Sequence, residues 1–550
     1  MSILTQKNKI FRDTFFLIIL AELFSFLGYY YPWVNTLAFF IVIILTVGIS
    51  LYRLEYGIYI LLAELFIGSF GYLFYFAYGG FTISIRVALW LIIMSVWLVK
   101  IIVNWLRTKK LSVDFFKSSW FIPVMVLWFF IGWGLINGLL NGNSLSNIFF
   151  DFNNWLYFLL IFPIFTIWRD GERLKTVKLI FLASITWLSA KTILLAYVFT
   201  HNFHGLDLEI YGWMRLDRIG EITQTTAGFS RIFMQSHIFV LIGFFILLVY
   251  LLKFIIVIAS RPRICPPCKG GLRGFNFQSA RTSPTPPLQG GLSTCSDNKK
   301  FLISYCFLLT LFLSAIIISF SRSFWLGLLA GGIFVWLIAI FKLKIKFKQF
   351  IIYNSIILFV IIASLILTVA AIKFPYPRPY GGFNPADLLT ERATQISNEA
   401  GASSRWQLLT PLWQKIKTAP IIGRGFGATV TYKSNDPRVL ATNPDGLYTT
   451  YAFEWGWLDL WLKLGLFGLL AYLFLSVKII KDGLKTCSTL TLSLTVGLVV
   501  LMAVNIFSPY INHPLGIGYI MIALVMMERL SKNYKFLMAT PDLAKPDNNK

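Results

Sequence analysis

The sequence predicts an all-α polytopic membrane protein, and three observations carry that prediction. The 550 residues are 57% hydrophobic and only 13% charged, whereas soluble domains are about one quarter charged. Apolar runs of about 20 residues recur along the whole chain, each long enough to cross a bilayer. The short alternating segments of a membrane β-barrel do not occur in it.

Taken in order, the first apolar run begins near Phe15, after Lys7, Lys9 and Arg12. No small-residue cleavage site follows, so it reads as a spanning helix rather than a signal peptide. The expected spans are 14–31, 35–52, 58–78, 83–103, 119–140, 149–168, 177–199, 231–258, 301–320, 323–341, 350–372, 452–477, 487–506 and 513–528. Clusters of Lys and Arg follow the fourth, sixth, eighth, tenth and twelfth of these, for example Lys342, Lys344, Lys346 and Lys348. Basic loops stay in the cytoplasm, so one orientation satisfies all five, with both termini inside. The net charge of +25 then reflects cytoplasmic loops and anionic head groups, with no nucleic acid implied.

The chain divides into N-terminal helices (1–258), a Pro/Gly-rich insert (259–300), central helices (301–372), a long extracytoplasmic loop (373–451), C-terminal helices (452–530) and a cytoplasmic tail (531–550). The insert carries a near-repeat, Pro266 to Leu272 and Pro286 to Leu292, and a composition that cannot bury a core. It is expected to be disordered. Its Cys265-Pro-Pro-Cys268 has no second pair at metal-ligand spacing, so no metal site is assigned. Five cysteines without an outer pattern do not form a disulfide framework.

Three segments face outward in this orientation: Asn141–Asn147, residues 200–230, and the long loop. The loop holds nine Lys/Arg against five Asp/Glu. Arginine grips phosphate through a permanently charged planar fork, so the loop arginines, Arg405 and Arg424 above all, are candidates for a diphosphate. The structural alternative for each is head-group contact. Gly423, Gly425 and Gly427 read as a tight turn rather than a dinucleotide fingerprint, because no βαβ unit surrounds them. Arg322, in Ser321-Arg-Ser323, and Arg231 sit at outer helix boundaries, where an arginine either snorkels or reaches a lipid diphosphate. Glu454 reads as a dipole-complementing carboxylate or a general base. Glu22, Glu64, Arg86, Asp151, Lys191, Asp459 and Lys463 lie within spans and must face the bundle interior. Asp459 and Lys463, four apart, are expected to pair.

The order of these parts resembles the O-antigen ligase and O-antigen polymerase family. Ser321-Arg322 before an apolar span is similar to the arginine that opens the family's central segment. Arg405 to Trp413, followed by Pro420-Ile-Ile-Gly-Arg-Gly-Phe-Gly427, is similar to the family's arginine, amphipathic loop helix and Pro-x-x-Gly-x-Gly turn. The family's histidine, amide residue, nine residues, glycine, two residues and glycine align with Glu454, Trp455, Gly465 and Gly468. The proposed catalytic histidine is thus a glutamate here. Either Glu454 serves as the base, or the chain is a divergent polymerase-like enzyme, or it is an inactive member.

The resemblance implies a GT-C-like helical bundle of about 12–14 transmembrane helices with one long extracytoplasmic loop, in a bacterial inner membrane. It implies a metal-independent glycosyltransferase without cofactor, using Glu454 and Arg405 catalytically and Arg322, Arg231 and Arg424 on the diphosphate. The donor would be an undecaprenyl-diphosphate-linked glycan, and the acceptor a lipid or glycan hydroxyl. The chain shows no Asp-x-Asp motif and no nucleotide-binding domain, in keeping with that reading. The competing reading is a transporter or flippase of lipid-linked glycans. That reading expects internal repeats and interrupted helices in matching halves, and no such halves are visible.

Overall fold

The computed structural model describes residues 2–110, 113–168, 171–203, 205–224, 229–260, 295–381 and 400–539. Residues 261–294 of the insert with the Cys265–Cys268 pair, Arg392 and the end of the tail lie outside the described residues, while the insert's last residues, from Cys295, are helical. The elements are α1 (Ser2–Tyr30), α2 (Pro32–Tyr52), α3 (Leu54–Ile67), β1 (Tyr75–Tyr78), β2 (Phe81–Ser84), α4 (Ile85–Thr108), α5 (Phe121–Leu140), α6 (Leu145–Asn153), α7 (Ile161–Ile167) and α8 (Gly171–Val198). Then come α9 (Leu206–Leu216), β3 (Glu221–Gln224), β4 (Ser230–Phe233), α10 (His237–Ser260), α11 (Cys295–Ser319), α12 (Arg322–Leu337) and α13 (Phe347–Ile372). The last are α14 (Ala400–Lys417), β5 (Val430–Lys433), α15 (Pro437–Thr442), β6 (Leu447–Thr450), α16 (Gly456–Thr486), α17 (Thr489–Val504) and α18 (Pro514–Ala539).

The fold is that of an all-α polytopic membrane protein. Among the described residues, ten helices are long and apolar enough to cross a membrane. One expected span is corrected. The span at 58–78 ends as a helix at Ile67, and 75–84 is an antiparallel hairpin pairing Tyr75 with Ser84. Gly79 and Gly80, both at positive φ (56° and 82°), supply the mirror-image turn that suits a two-residue hairpin. The apolar, aromatic sequence hid the break, because such residues serve strands as well as helices. The span at 149–168 is present as one helical stretch, Leu145–Ile167, made of α6, a 3-10 stretch (Asn154–Leu160) and α7.

Small residues let the central helices close. A Cβ on Gly327 of α12 would lie 2.7 Å from Val504 of α17, and one on Gly331 would lie 2.5 Å from Phe245 of α10 and from Val500. Helices in lipid associate by such close approach, since apolar burial alone favours no partner there.

The long loop is folded where described. α14 packs on β5 and α16, and a hairpin pairs Val430 with Thr450. The buried side chains of Leu408, Leu412, Ile416, Val430 and Leu462 form its small core.

The glycine turn inserts between α5 and α16 and breaks α16. At Gly465 the backbone takes φ 72° and ψ 179°, a region open essentially to glycine alone. Leu466 N–H donates to Pro420 O at 3.0 Å instead of continuing the helix, and the freed Leu462 carbonyl accepts from Arg424 N–H at 2.6 Å. Both of these backbone groups displaced by the break thus find a partner in the inserted loop, as membrane burial requires. On the other side Asn137 Nδ2 donates to Gly423 O at 2.9 Å, and Asn143 Nδ2 donates to Phe426 O at 2.8 Å. A Cβ on Gly425 would lie 2.0 Å from Gly138 N, so only glycine fits.

Candidate active site

Several helix ends and loops leave a polar cavity of about 650 Å³. It is floored by the ends of α4, α6 and α16, and walled by β4, the start of α12 and the loop between α17 and α18. Arg231, Arg322, Arg405 and Glu454 all line it, although they lie up to 223 positions apart in sequence (454 − 231). Four of the residues singled out from sequence therefore meet at one place.

The two first-named arginines share a wall. Arg231 sits on β4, opposite Thr223. Its Nε donates to Ser319 O, the last residue of α11, at 2.9 Å, and its guanidinium lies 5.0 Å from the Phe233 ring centre. Arg322 opens α12 three residues further on. The flanking Ser321 and Ser323 hydroxyls lie 3.0 Å apart, and Ser508 donates to Ser323 at 3.0 Å. That wall is pinned to the α17–α18 loop.

Glu454 lies two residues before α16 rather than on it. Its carboxylate accepts from Arg405 Nε in an ion pair that is 38% and 49% exposed on its two sides. Trp455 Nε1 donates to Arg405 O at 2.9 Å, and the Trp455 ring packs edge-on against Trp406 at 5.3 Å. Arg405, on α14, is thus registered to the Glu454 segment by two separate bonds.

Arg424, Gly423, Gly425, Gly427, Gly465 and Gly468 do not line the cavity. Arg424 Nε donates to Thr418 Oγ1 at 3.0 Å, and the glycines form the docked turn and the kink against it. Gly468 lets α16 approach α5, where a Cβ would meet Phe130 at 3.3 Å. These residues shape the site from behind.

Sequence reasoning did not foresee four features of the site. Arg86 lines the cavity while making a bidentate pair with Glu64, both contacts 3.0 Å. Arg218, in the left-handed region at φ 52°, stacks its guanidinium 4.8 Å from the Tyr72 ring. His513 lines the cavity too, edge-on to Phe70 at 6.2 Å. Last, Lys463 Nζ bridges Asp459 and Asp151, 2.7 Å from each. The Asp459–Lys463 pair was expected from its spacing, but Asp151 was not assigned to it. The signal available was charge balance, since an ionised residue at membrane depth requires a partner.

His237 and His201 serve structure. His237 Nε2 lies 2.7 Å from Thr192 Oγ1. His201 Nδ1 and Nε2 each lie 2.7 Å from a backbone carbonyl, those of Tyr197 and Phe374, clipping the start of the long loop to the end of α8. Outside the expected spans, burial of Asp217 beside the first hairpin pushes its carboxyl up to about 6, against a hydrogen bond from Tyr75 that lowers it.

Residues 307–473 match the O-antigen ligase family model. The match runs from within α11 to within α16 and takes in Arg322, Arg405, Glu454, Gly465 and Gly468. No curated protein matches the chain. The matched segment, set in a multi-pass helical membrane fold, is thus similar to the O-antigen ligase family over about a third of the chain.

Proposed function

We propose that the cavity transfers a glycan from an undecaprenyl-diphosphate donor to an acceptor hydroxyl on the extracytoplasmic face of a bacterial inner membrane. The observation that carries this is the convergence of Arg231, Arg322, Arg405 and Glu454 on one cavity. In the orientation drawn from the basic loops, each segment that lines it lies at an outer helix end.

The chemistry follows from the charges. Arg231 and Arg322 hold the diphosphate and stabilise it as it leaves. The acceptor oxygen attacks the anomeric carbon, forming the new C–O bond as the bond from that carbon to the diphosphate oxygen breaks. Glu454 takes the acceptor's proton, and undecaprenyl diphosphate departs with the electron pair. Arg405 stands between the two roles. Its guanidinium pairs with Glu454 now, and the arriving diphosphate competes for it and releases the carboxylate.

The test is the surface-glycan profile of a deletion strain complemented by wild type, Glu454→Gln or Arg405→Ala. Deletion is expected to shorten the glycan or accumulate the lipid-linked donor, and neither variant restores it despite reaching the membrane normally. Full rescue by both variants removes the assignment and favours transport of the lipid-linked glycan.

A further inference from the structure

We infer that Lys463, acting through Asp151 and Asp459, is a positioning residue for Glu454. The inference rests on the transferase reading above.

Lys463 is buried, and so are its two carboxylate partners (6%, 10% and 2% side-chain exposure). The triad carries a net charge of −1, two carboxylates against one ammonium. Each member fastens a different part of the site. Asp151, on α6, accepts the N–H of Gly427 through Oδ2 at 2.8 Å, which ties the glycine turn to the triad. Asp459 accepts from Asn512 Nδ2 at 2.5 Å, which ties in the α17–α18 loop. Asp459 N–H donates to Trp455 O at 2.8 Å, directly after Glu454. Lys463 Nζ itself lies 5.4 Å from the ring centre of Phe453, directly before Glu454. The triad ammonium thus lies against Phe453, and the first turn of α16, which carries Asp459, holds Trp455, while Glu454 lines the cavity between them.

Stability alone does not account for the three charges. Buried ion pairs gain little over well-packed apolar residues of the same volume, because desolvation offsets their attraction. Ionised residues at membrane depth are costly and mark function. What charge provides here is geometry, since one ammonium fixes two carboxylates at 2.7 Å. Those carboxylates fix the turn, the loop and the start of α16. A base displaced by about 1 Å from its proton loses on the order of a hundredfold in rate.

The experiment uses the full-length protein in proteoliposomes. The donor is the lipid-linked glycan extracted from the deletion strain, and the acceptor is that strain's own membrane fraction. The decisive variant is the neutral triad Asp151→Asn, Lys463→Met, Asp459→Asn, which keeps acceptors for Gly427 and Asn512 and leaves no bare charge. It is expected to keep the wild-type melting temperature within a few degrees, lose at least tenfold in kcat per folded protein and leave donor KM unchanged. Added to Glu454→Gln it is expected to cost nothing further, because a positioning residue acts only through the group it positions.

A kcat within twofold of wild type, or a loss that multiplies with that of Glu454→Gln, overturns the inference and leaves the triad a packing feature. Should the neutral triad fail to fold, Asp151→Asn alone is judged by the same two readouts. A wild type that transfers nothing sinks the transferase reading, and this inference with it, before any variant is compared.

Discussion

Two sets of opposite charges line the same cavity and are built on opposite principles. The Arg405–Glu454 pair is about half open to solvent, whereas the Asp151–Lys463–Asp459 triad is almost wholly enclosed. An exposed pair contributes about 0–1 kcal/mol, so its residues are free to change partners. An enclosed one has no water to replace a lost partner, so its members are fixed. The half-open pair therefore suits a group that must exchange a proton and meet a substrate, and the enclosed triad suits a frame.

That contrast can be broken in stability measurements. The largest effect is expected for Lys463→Met, which leaves two buried carboxylates facing each other. It costs about 3–5 kcal/mol, read as a fall in melting temperature of the purified protein. A smaller loss, within about 1 kcal/mol, breaks the contrast at once. Next comes Gly465→Ala. It places a Cβ 2.2 Å from Ile421 O at a positive φ and costs at least about 1–3 kcal/mol from backbone strain alone. Limited proteolysis of the glycine turn detects the accompanying undocking from α16.

Glu454→Gln is expected to change stability by less than about 1 kcal/mol while lowering kcat by about 10²–10⁴-fold. A melting shift as large as that of Lys463→Met shows instead that Glu454 belongs to the frame. The smallest effect concerns Asp217. Its folded pKa of about 6 is above the ordinary carboxyl value near 4, so the fold favours its protonated form. Stability from this group is present below about pH 4 and is lost as pH rises through 6. Asp217→Asn removes that dependence, seen as a flatter melting temperature between pH 4.5 and 7.5.

Legibility from the sequence followed the range of the interaction. Asp459–Lys463 was readable because a helix brings residues four apart onto one face, yet Asp151 lies 312 positions from Lys463. The turn was readable from its glycines, and the Asn141–Asn147 segment was noted as an outward one. That Asn143 holds this turn against α5 is a tertiary fact. The third span was read as continuous because an apolar aromatic run serves a helix and a hairpin equally.

The sequence by itself determined the membrane, the helical class, the expected orientation and the residue types able to handle a diphosphate, because these follow from composition, run length and charge. Only the tertiary structure decided that Arg231, Arg322, Arg405 and Glu454 share one cavity, that Arg424 stands outside it, and that Asp151 completes the triad. Such meetings depend on which helices pack together, and in a bilayer that choice rests on close fits between small residues and on buried polar partners rather than on any pattern local in the chain.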